Sequence, residues 1–470
     1  MKLKKLKLKN FRGYSSEVEI EVTDLNVIIG KNDIGKSTIL EALDIFFNGK
    51  PEKDDWCIHN DGSPIEITCV FNDLQDEIIL DDSIRTSLAD EYLLNAQGDL
   101  EIKKKYPISN AGSVSEESFI VCNYPDNENL IDLLSKKRQT LQNQIDDLRI
   151  ESEDLDRRQN KSLRNAIRNH YYPDGNIVLQ TTEIKVDGSL NTEDNRKKIW
   201  TSLKKYLPLY SLFFVDKPLN DQDGDIQDPM KEIIKEVLNR DSISPLLEQL
   251  KTAVQEASTF MAERTIEKLN ELHSNLAETL RSNFPKEPSW NSIFKLTLED
   301  ERGIPLNKRG SGMRRLVLLS FFRAQIENRR TTDSPSIIYA LEEPETSQHP
   351  DFQMMIINAL KELSETDNAQ VFFTTHNSNL AKEVPKSSLR YVYKNDVGIC
   401  NVESGLNSDG TDNENIIDKI IETLGALPDP KNKVKVLIFV EGENDINGLL
   451  GFSKLLNNED SNIINLENNE

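Results

Sequence analysis

An α/β fold is predicted for this chain, a mixed sheet flanked by helices and split by a helical insertion, on three observations. The apolar run NVIIG enters a glycine loop, GKNDIGKST, and the following STILEALDIFF has apolar residues at helical spacing. Two more apolar runs, SIIYALEEPE and QVFFTTH, recur some three hundred residues downstream, each ending on residues that carry chemistry. Between these parts lies a polar, charged helical stretch, about 129 to 171, without proline or glycine.

A chain of 470 residues exceeds one compact core, so two or three domains are expected. The boundaries read from texture are an N-terminal lobe over 1–125, a helical insertion or dimerisation arm over 126–290, a C-terminal lobe over 291–403, a linker over 404–432 and a final segment over 433–470. The net charge of -23 argues against a surface dominated by positive potential, while leaving room for a local basic groove. Cys57, Cys69, Cys122 and Cys400 are far apart, with no CxxC pair, which fits a reducing compartment and offers no zinc or disulfide framework. No apolar run reaches membrane-span length and MKLKKLKLKN lacks a signal-peptide core, so a soluble cytoplasmic protein with no membrane partner is expected.

In chain order, KLKKLKLKNF, VEIEV and IEITCVF read as strands. Leu134, Leu141, Leu148 and Leu155 recur every seven residues, but Arg138 and Ser152 break the intermediate positions. A helical arm or hairpin is therefore favoured over a long coiled coil, with an ordinary amphipathic helix as the alternative. PLNDQDGDIQDP is an acidic loop, 230–283 is helical, and IFKLTLED reopens the sheet. SGLNSDGTDNEN reads as a low-complexity linker before a last strand, VKVLIFVEGEND.

Gly30 to Ser37 fit GxxxxGK(S/T), the Walker A pattern. Backbone N–H groups of such a loop wrap the β- and γ-phosphates of ATP, the glycines permit the approach, Lys36 neutralises charge and the Ser37 hydroxyl ligates Mg2+. Gly30, Asn32, Gly35, Lys36, Ser37 and Thr38 form the predicted nucleotide-binding set. Adjacent carboxylates at the end of SIIYALEEPE suit phosphoryl transfer, Glu342 for magnesium and Glu343 for the attacking water. His376, just past QVFF, stands where an imidazole reaches a γ-phosphate. KRGSGMRRLVLL sets Gly310, Ser311 and Gly312 before an apolar helix, a second anion site that most simply serves a nucleotide held by another copy. The lysines of KLKKLKLK and Arg314, Arg315, Arg329 and Arg330 are either DNA-phosphate contacts or a solvated face.

With LKNFRGY, GKNDIGKST, RGSGM, EEPE and TTHNSNL, the sequence resembles the ABC-type P-loop ATPase heads of the SMC and RecF class. More closely it resembles the OLD (overcoming lysogenisation defect) family of ATP-dependent nucleases, over roughly 1–125 and 290–400 plus the tail. The resemblance implies a homodimer or higher oligomer with ATP between two heads, Lys36, Ser37, Glu342, Glu343 and His376 acting in cis and Ser311 and Gly312 in trans. It implies that Arg12 lies near the nucleotide, unless it is a surface arginine, and makes Gln75 a weak candidate for a magnesium-ligating glutamine. KVLIFVEGENDINGLL resembles the opening of a Toprim nuclease domain, with Glu441 as its metal-holding glutamate. No DxD follows within 442–470, so nuclease activity is expected only where a complete Toprim domain continues beyond residue 470. The resemblance further implies DNA as a partner of the full-length protein and a role in anti-phage defence, Gabija-like or retron-associated, with a defence protein or retron nucleic acid as a further partner. The alternative is a DNA-binding ATPase clamp or a scaffold for a separate effector, without nuclease activity.

Overall fold

A computed structural model describes residues 1–58, 62–80, 85–108, 113–130, 132–151, 155–186, 195–214, 243–272, 335–345, 350–395, 397–407 and 409–424, with a few single positions besides. Two compact units divide the chain, Met1–Leu424 and Gly425–Glu470. The architecture below belongs to the first; of the second, a few helical positions between 445 and 452 are described.

The strands are β1 Lys2–Lys9, β2 Val18–Glu21, β3 Leu25–Ile29, β4 Ile65–Asn72, β5 Ile78–Ile79, β6 Arg85–Thr86, β7 Leu100–Tyr106, β8 Glu117–Pro125, β9 Leu179–Lys185, β10 Leu209–Phe214, β11 Ile337–Glu342, β12 Ala369–Thr375, β13 Leu389–Lys394 and β14 Cys400–Ser404. The helices are α1 Lys36–Asn48, α2 Arg138–Asp147, α3 Asn160–Tyr171, α4 Arg196–Lys204, α5 Ser244–Leu272, α6 Pro350–Ser364, α7 Ser378–Lys382 and α8 Ile416–Leu424. One sheet, in the order β2-β1-β4-β7-β8-β9, is antiparallel throughout. The other runs β10-β11-β12-β3-β13-β14, parallel from β10 to β13 with β14 antiparallel at its edge. β5 and β6 form a short separate ladder.

The two sheets obey different patterning because they are covered differently. β3 and β12 are buried at every position, as expected of parallel strands covered on both faces. Ile28, Ile338, Ala340, Phe372 and Val392 join the core that holds α1 and the antiparallel sheet, while Val27, Tyr339, Leu341, Phe373 and Tyr391 join the core under α6, α7 and α8. The layers are therefore antiparallel sheet, α1, parallel sheet, then the helices α6 to α8. β1 buries Leu3, Leu6 and Leu8 although the first two are three residues apart. An irregularity in the β1–β4 register between Leu3 and Lys5 absorbs the extra residue, so all three leucines face one way. Gln370 of β12 joins the two sheets, accepting from the Leu3 amide at 2.8 Å and donating to the Leu3 carbonyl at 2.8 Å.

The span expected as a helical insertion also contributes an edge strand to each sheet, β9 to the antiparallel one and β10 to the parallel one. β9 carries little apolar signal, and its place comes from a seven-residue pairing with β8. The heptad leucines lie in and around a helical hairpin and pack into the first core. Leu141 and Ile145 of α2 meet Leu163 and Ile167 of α3 in the first core, against which Leu148 and Leu155 also pack. Part of the expected linker is folded as well. Asn407 and Thr411 close a tight turn, and Ile416 and Ile420 of α8 are buried in the second core. The predicted strand IFKLTLED, the acidic loop at 218–229 and the last strand VKVLIFVEGEND, save its final Asp445, lie outside the described residues.

Candidate functional site

Because β10 to β13 are parallel, their C-terminal ends share one edge of the sheet, where ligands of open α/β folds are bound. β3 runs into the glycine loop, β11 ends on Glu342, and β12, ending on Thr375, stands between them. Positive φ at Asp33 (57°) and Gly35 (102°) curls the loop, a backbone form that gathers successive N–H groups toward an anion. Gly30 is required by space. A Cβ there would lie 2.5 Å from the Val392 carbonyl oxygen, which is backbone and has little freedom to yield. Gly30→Ala is expected to destabilise the fold by about 1–3 kcal/mol, the usual cost of overpacking, read as a lowered Tm in thermal denaturation.

Lys36 and Ser37 open α1. The Lys36 side chain is 5% exposed; its Nζ donates to the carbonyls of Gly30 at 3.1 Å and Lys31 at 2.8 Å and lies 3.8 Å from Glu343 Oε1. Burial lowers its pKa, opposed by the carboxylates of Glu343, Glu345, Asp33 and Glu342. Ser37 Oγ donates to Glu342 Oε1, a contact between residues 305 positions apart. Glu343 takes a left-handed conformation, φ 41°, and its amide donates to Thr374 Oγ1 at 3.0 Å. Its Oε1 is 3.4 Å from His376 Nδ1. The paired carboxylates and the histidine thus face the lysine and serine of the glycine loop, as the motif order predicts.

The other predicted residues are placed as follows. Asn32 is exposed on the loop and Thr38 is buried on α1. Arg12, at φ 48°, is held by two carboxylates, Nε 2.7 Å from Asp55 Oδ1 and a terminal nitrogen 2.5 Å from Glu41 Oε2 on α1. It braces α1 against the segment around Asp55. Gln75 is exposed in the turn after β4. Gly310, Ser311, Gly312 and Glu441 lie outside the described residues, as do Arg314, Arg315, Arg329 and Arg330. The lysines of KLKKLKLK are engaged in ion pairs: Lys2 with Asp24, Lys4 with Asp99, Lys5 with Glu19 and Glu21, Lys7 with Glu19 and Glu101, Lys9 with Glu66.

Several residues around the site escaped the motifs. Tyr14 OH donates to the Gly35 carbonyl at 3.0 Å, Cys400 Sγ to that of Ile34 at 3.2 Å and Lys394 Nζ to that of Asp33 at 3.2 Å, so three distant residues fix the loop. Glu345, last of EEPE, is 2% exposed, and its carboxylate accepts a hydrogen bond from Thr375 Oγ1. Burial raises its pKa, the Thr375 bond opposing. The doubled glutamate drew attention away from this third one, whose burial has no local sequence signal.

A lysine and a serine opening a helix after a glycine loop, set against two strand-end carboxylates, are the arrangement expected of a nucleoside-triphosphate site, and in comparison with known proteins the AAA ATPase domain family matches residues 1–381. The chain belongs to that family. This AAA ATPase is 23% identical over 479 residues to Endonuclease GajA of Bacillus cereus, covering 95% of this chain and 70% of that protein. It is 23% identical over 401 residues to the OLD nuclease of Thermus scotoductus, covering 83% of this chain and 62% of that protein. The OLD likeness read from the motifs thus has its counterpart in whole-chain similarity. The SMC head domain from Thermotoga maritima overlaps 86% of this AAA ATPase and 99% of that chain, at 15% identity and a TM-score of 0.37; the strand order above stands independently of that overlap. Among the described residues, no helix is long and apolar enough to cross a membrane.

Proposed function

We propose that this ATPase is the Mg-ATP-driven head of an OLD-type DNA nuclease. In this reading two heads close on ATP, hydrolysis releases them, and the cycle regulates cleavage by a Toprim domain that begins near Glu441. The observation that carries the reading is the bond from Ser37 to Glu342, which joins the loop that receives phosphate to the strand that delivers acid.

The donor set suits magnesium. A hydroxyl and a carboxylate oxygen that already touch are hard ligands of the kind Mg2+ takes, the remaining positions falling to phosphate oxygens and water. Ser37 and Glu342 would hold the ion, which supplies charge neutralisation across the β- and γ-phosphates. Lys36 would exchange its loop carbonyls for phosphate oxygens. Glu343 would orient the attacking water and accept its proton, and His376 would contact the γ-phosphate from the same edge. The dimer, the Toprim nuclease, the anti-phage setting and an intracellular location are supported by the OLD likeness, and the location also by four buried free thiols. The division into segments 1–125, 126–290, 291–403, 404–432 and 433–470 is proposed on the same footing, with β9 and β10 of the second segment pairing with strands of the flanking lobes.

The test is association. ATP with Mg2+ is expected to convert the Glu343→Gln chain to a species of twice the mass, or twice the mass of any nucleotide-free oligomer, in multi-angle light scattering, and EDTA to reverse it. An unchanged mass at saturating ATP would refute head closure.

A further inference from the structure

The His376 side chain is 45% exposed and its Nδ1 stands 3.4 Å from Glu343 Oε1. Its backbone is held much more firmly. Thr375, immediately before it, donates through Oγ1 to the Glu345 carboxylate, and the Asn377 amide, immediately after it, donates to that same Oγ1 at 3.0 Å. Asn377 Nδ2 donates to Gln353 Oε1 at 3.4 Å, and Gln353 Nε2 donates to the Glu345 carbonyl at 3.3 Å. These bonds close a ring that starts and ends on Glu345 and takes in the residues on either side of His376. The ring draws on four separate elements: the turn after β11, the end of β12, helix α6 and the cap of α7, where Asn377 Oδ1 also accepts from Asn379.

Two features separate this ring from ordinary packing. A carboxylate 2% exposed is costly where a leucine or methionine would fill the space, and Glu345 Oε2 has no hydrogen-bond partner among the described residues. The adjacent threonines at the end of β12 also divide their bonds. Thr374 accepts the Glu343 amide and Thr375 meets the Glu345 carboxylate, so the β11 turn is fastened to β12 on both sides of Pro344. A two-point fastening fixes the offset between Glu343 and His376, the distance that matters when both face one γ-phosphate.

We propose that Glu345, through its ring with Thr375, Asn377 and Gln353, is a positioning residue for hydrolysis, setting His376 against Glu343. The inference rests on the reading that Glu343 and His376 serve ATP hydrolysis. Glu345→Ala and Thr375→Val are each expected to lower kcat about tenfold to a hundredfold, the scale of a misplaced reacting group, with KM for ATP changed less than about twofold. Glu345→Gln is expected to stay within about threefold of the parent, because its amide oxygen still accepts the Thr375 proton. In a His376→Ala background, Glu345→Ala and Thr375→Val are expected to add less than about twofold, since their effect passes through the histidine. Full kcat in Thr375→Val, or an undiminished loss in the His376→Ala background, would overturn the proposal. Thr375→Val, which removes one oxygen at constant volume, carries the test if Glu345→Ala fails to fold. If His376→Ala and Glu343→Gln themselves hydrolyse ATP at the parent rate, the reading of the site falls first; if they are inactive while Glu345→Ala and Thr375→Val are not, only the ring's role falls.

Discussion

Lys36→Ala is expected to abolish ATP binding without unfolding the protein. The ammonium group donates to two loop carbonyls and is nearly buried, so in the complex it meets phosphate in a site with little solvent screening. At roughly 1.5–3 kcal/mol per hydrogen bond to a charged group, losing two such contacts weakens binding by about a hundredfold or more. Titration calorimetry with a non-hydrolysable ATP analogue measures it. The fold should not suffer in parallel. Burial depresses the Lys36 pKa, and a lysine whose folded-state pKa lies below its unfolded one costs stability. That cost is complete below the folded-state pKa and is relieved as pH rises through it toward the unfolded value. The alanine variant should therefore match or exceed the parent Tm at pH 7. A Kd within about threefold of the parent would remove Lys36 from the nucleotide site.

The second large effect is Glu343→Gln, expected to cut ATP turnover by about 10²–10⁴, the range of a lost general base, while leaving ATP bound. The substitution keeps the side-chain length and the backbone bond from the Glu343 amide to Thr374. It removes only a negative charge 3.8 Å from the Lys36 ammonium. That charge opposes an incoming triphosphate, so affinity for ATP should hold or rise as hydrolysis stops. Single-turnover hydrolysis and equilibrium binding separate the two. Turnover within about twofold of the parent would return Glu343 to the role of an acidic strand end and leave the water without its assigned base.

Much of the site was legible from short stretches because each has a local cause. A strand that must be buried on both faces writes a continuous apolar run, and three such runs, ending at Ile29, Glu342 and Thr375, announced where loop, carboxylates and histidine would stand. The residues that steady the site had no such signature. Tyr14, Lys394 and Cys400 bond to the loop from three separate places in the chain, and nothing in their neighbourhoods distinguishes them from other tyrosines, lysines or thiols. β9 was illegible for a related reason. Its residues are mostly exposed and polar, so it is a strand because β8 offers an edge.

The amino-acid sequence alone determined the chemistry, a phosphate loop with its lysine and serine and a strand end with two acids, since these depend on residue type and spacing within a few positions. Only the tertiary structure decided how these pieces meet: that β12 separates β3 from β11, that the lysines of β1 are paired across the sheet with Asp99, Glu101, Glu19 and Glu66, and that a ring from Glu345 takes in the residues on either side of His376. The physical reason is range. Conformation and burial pattern are set by neighbours in the chain, whereas the partner of a buried or charged group is set by register and packing between segments hundreds of residues apart.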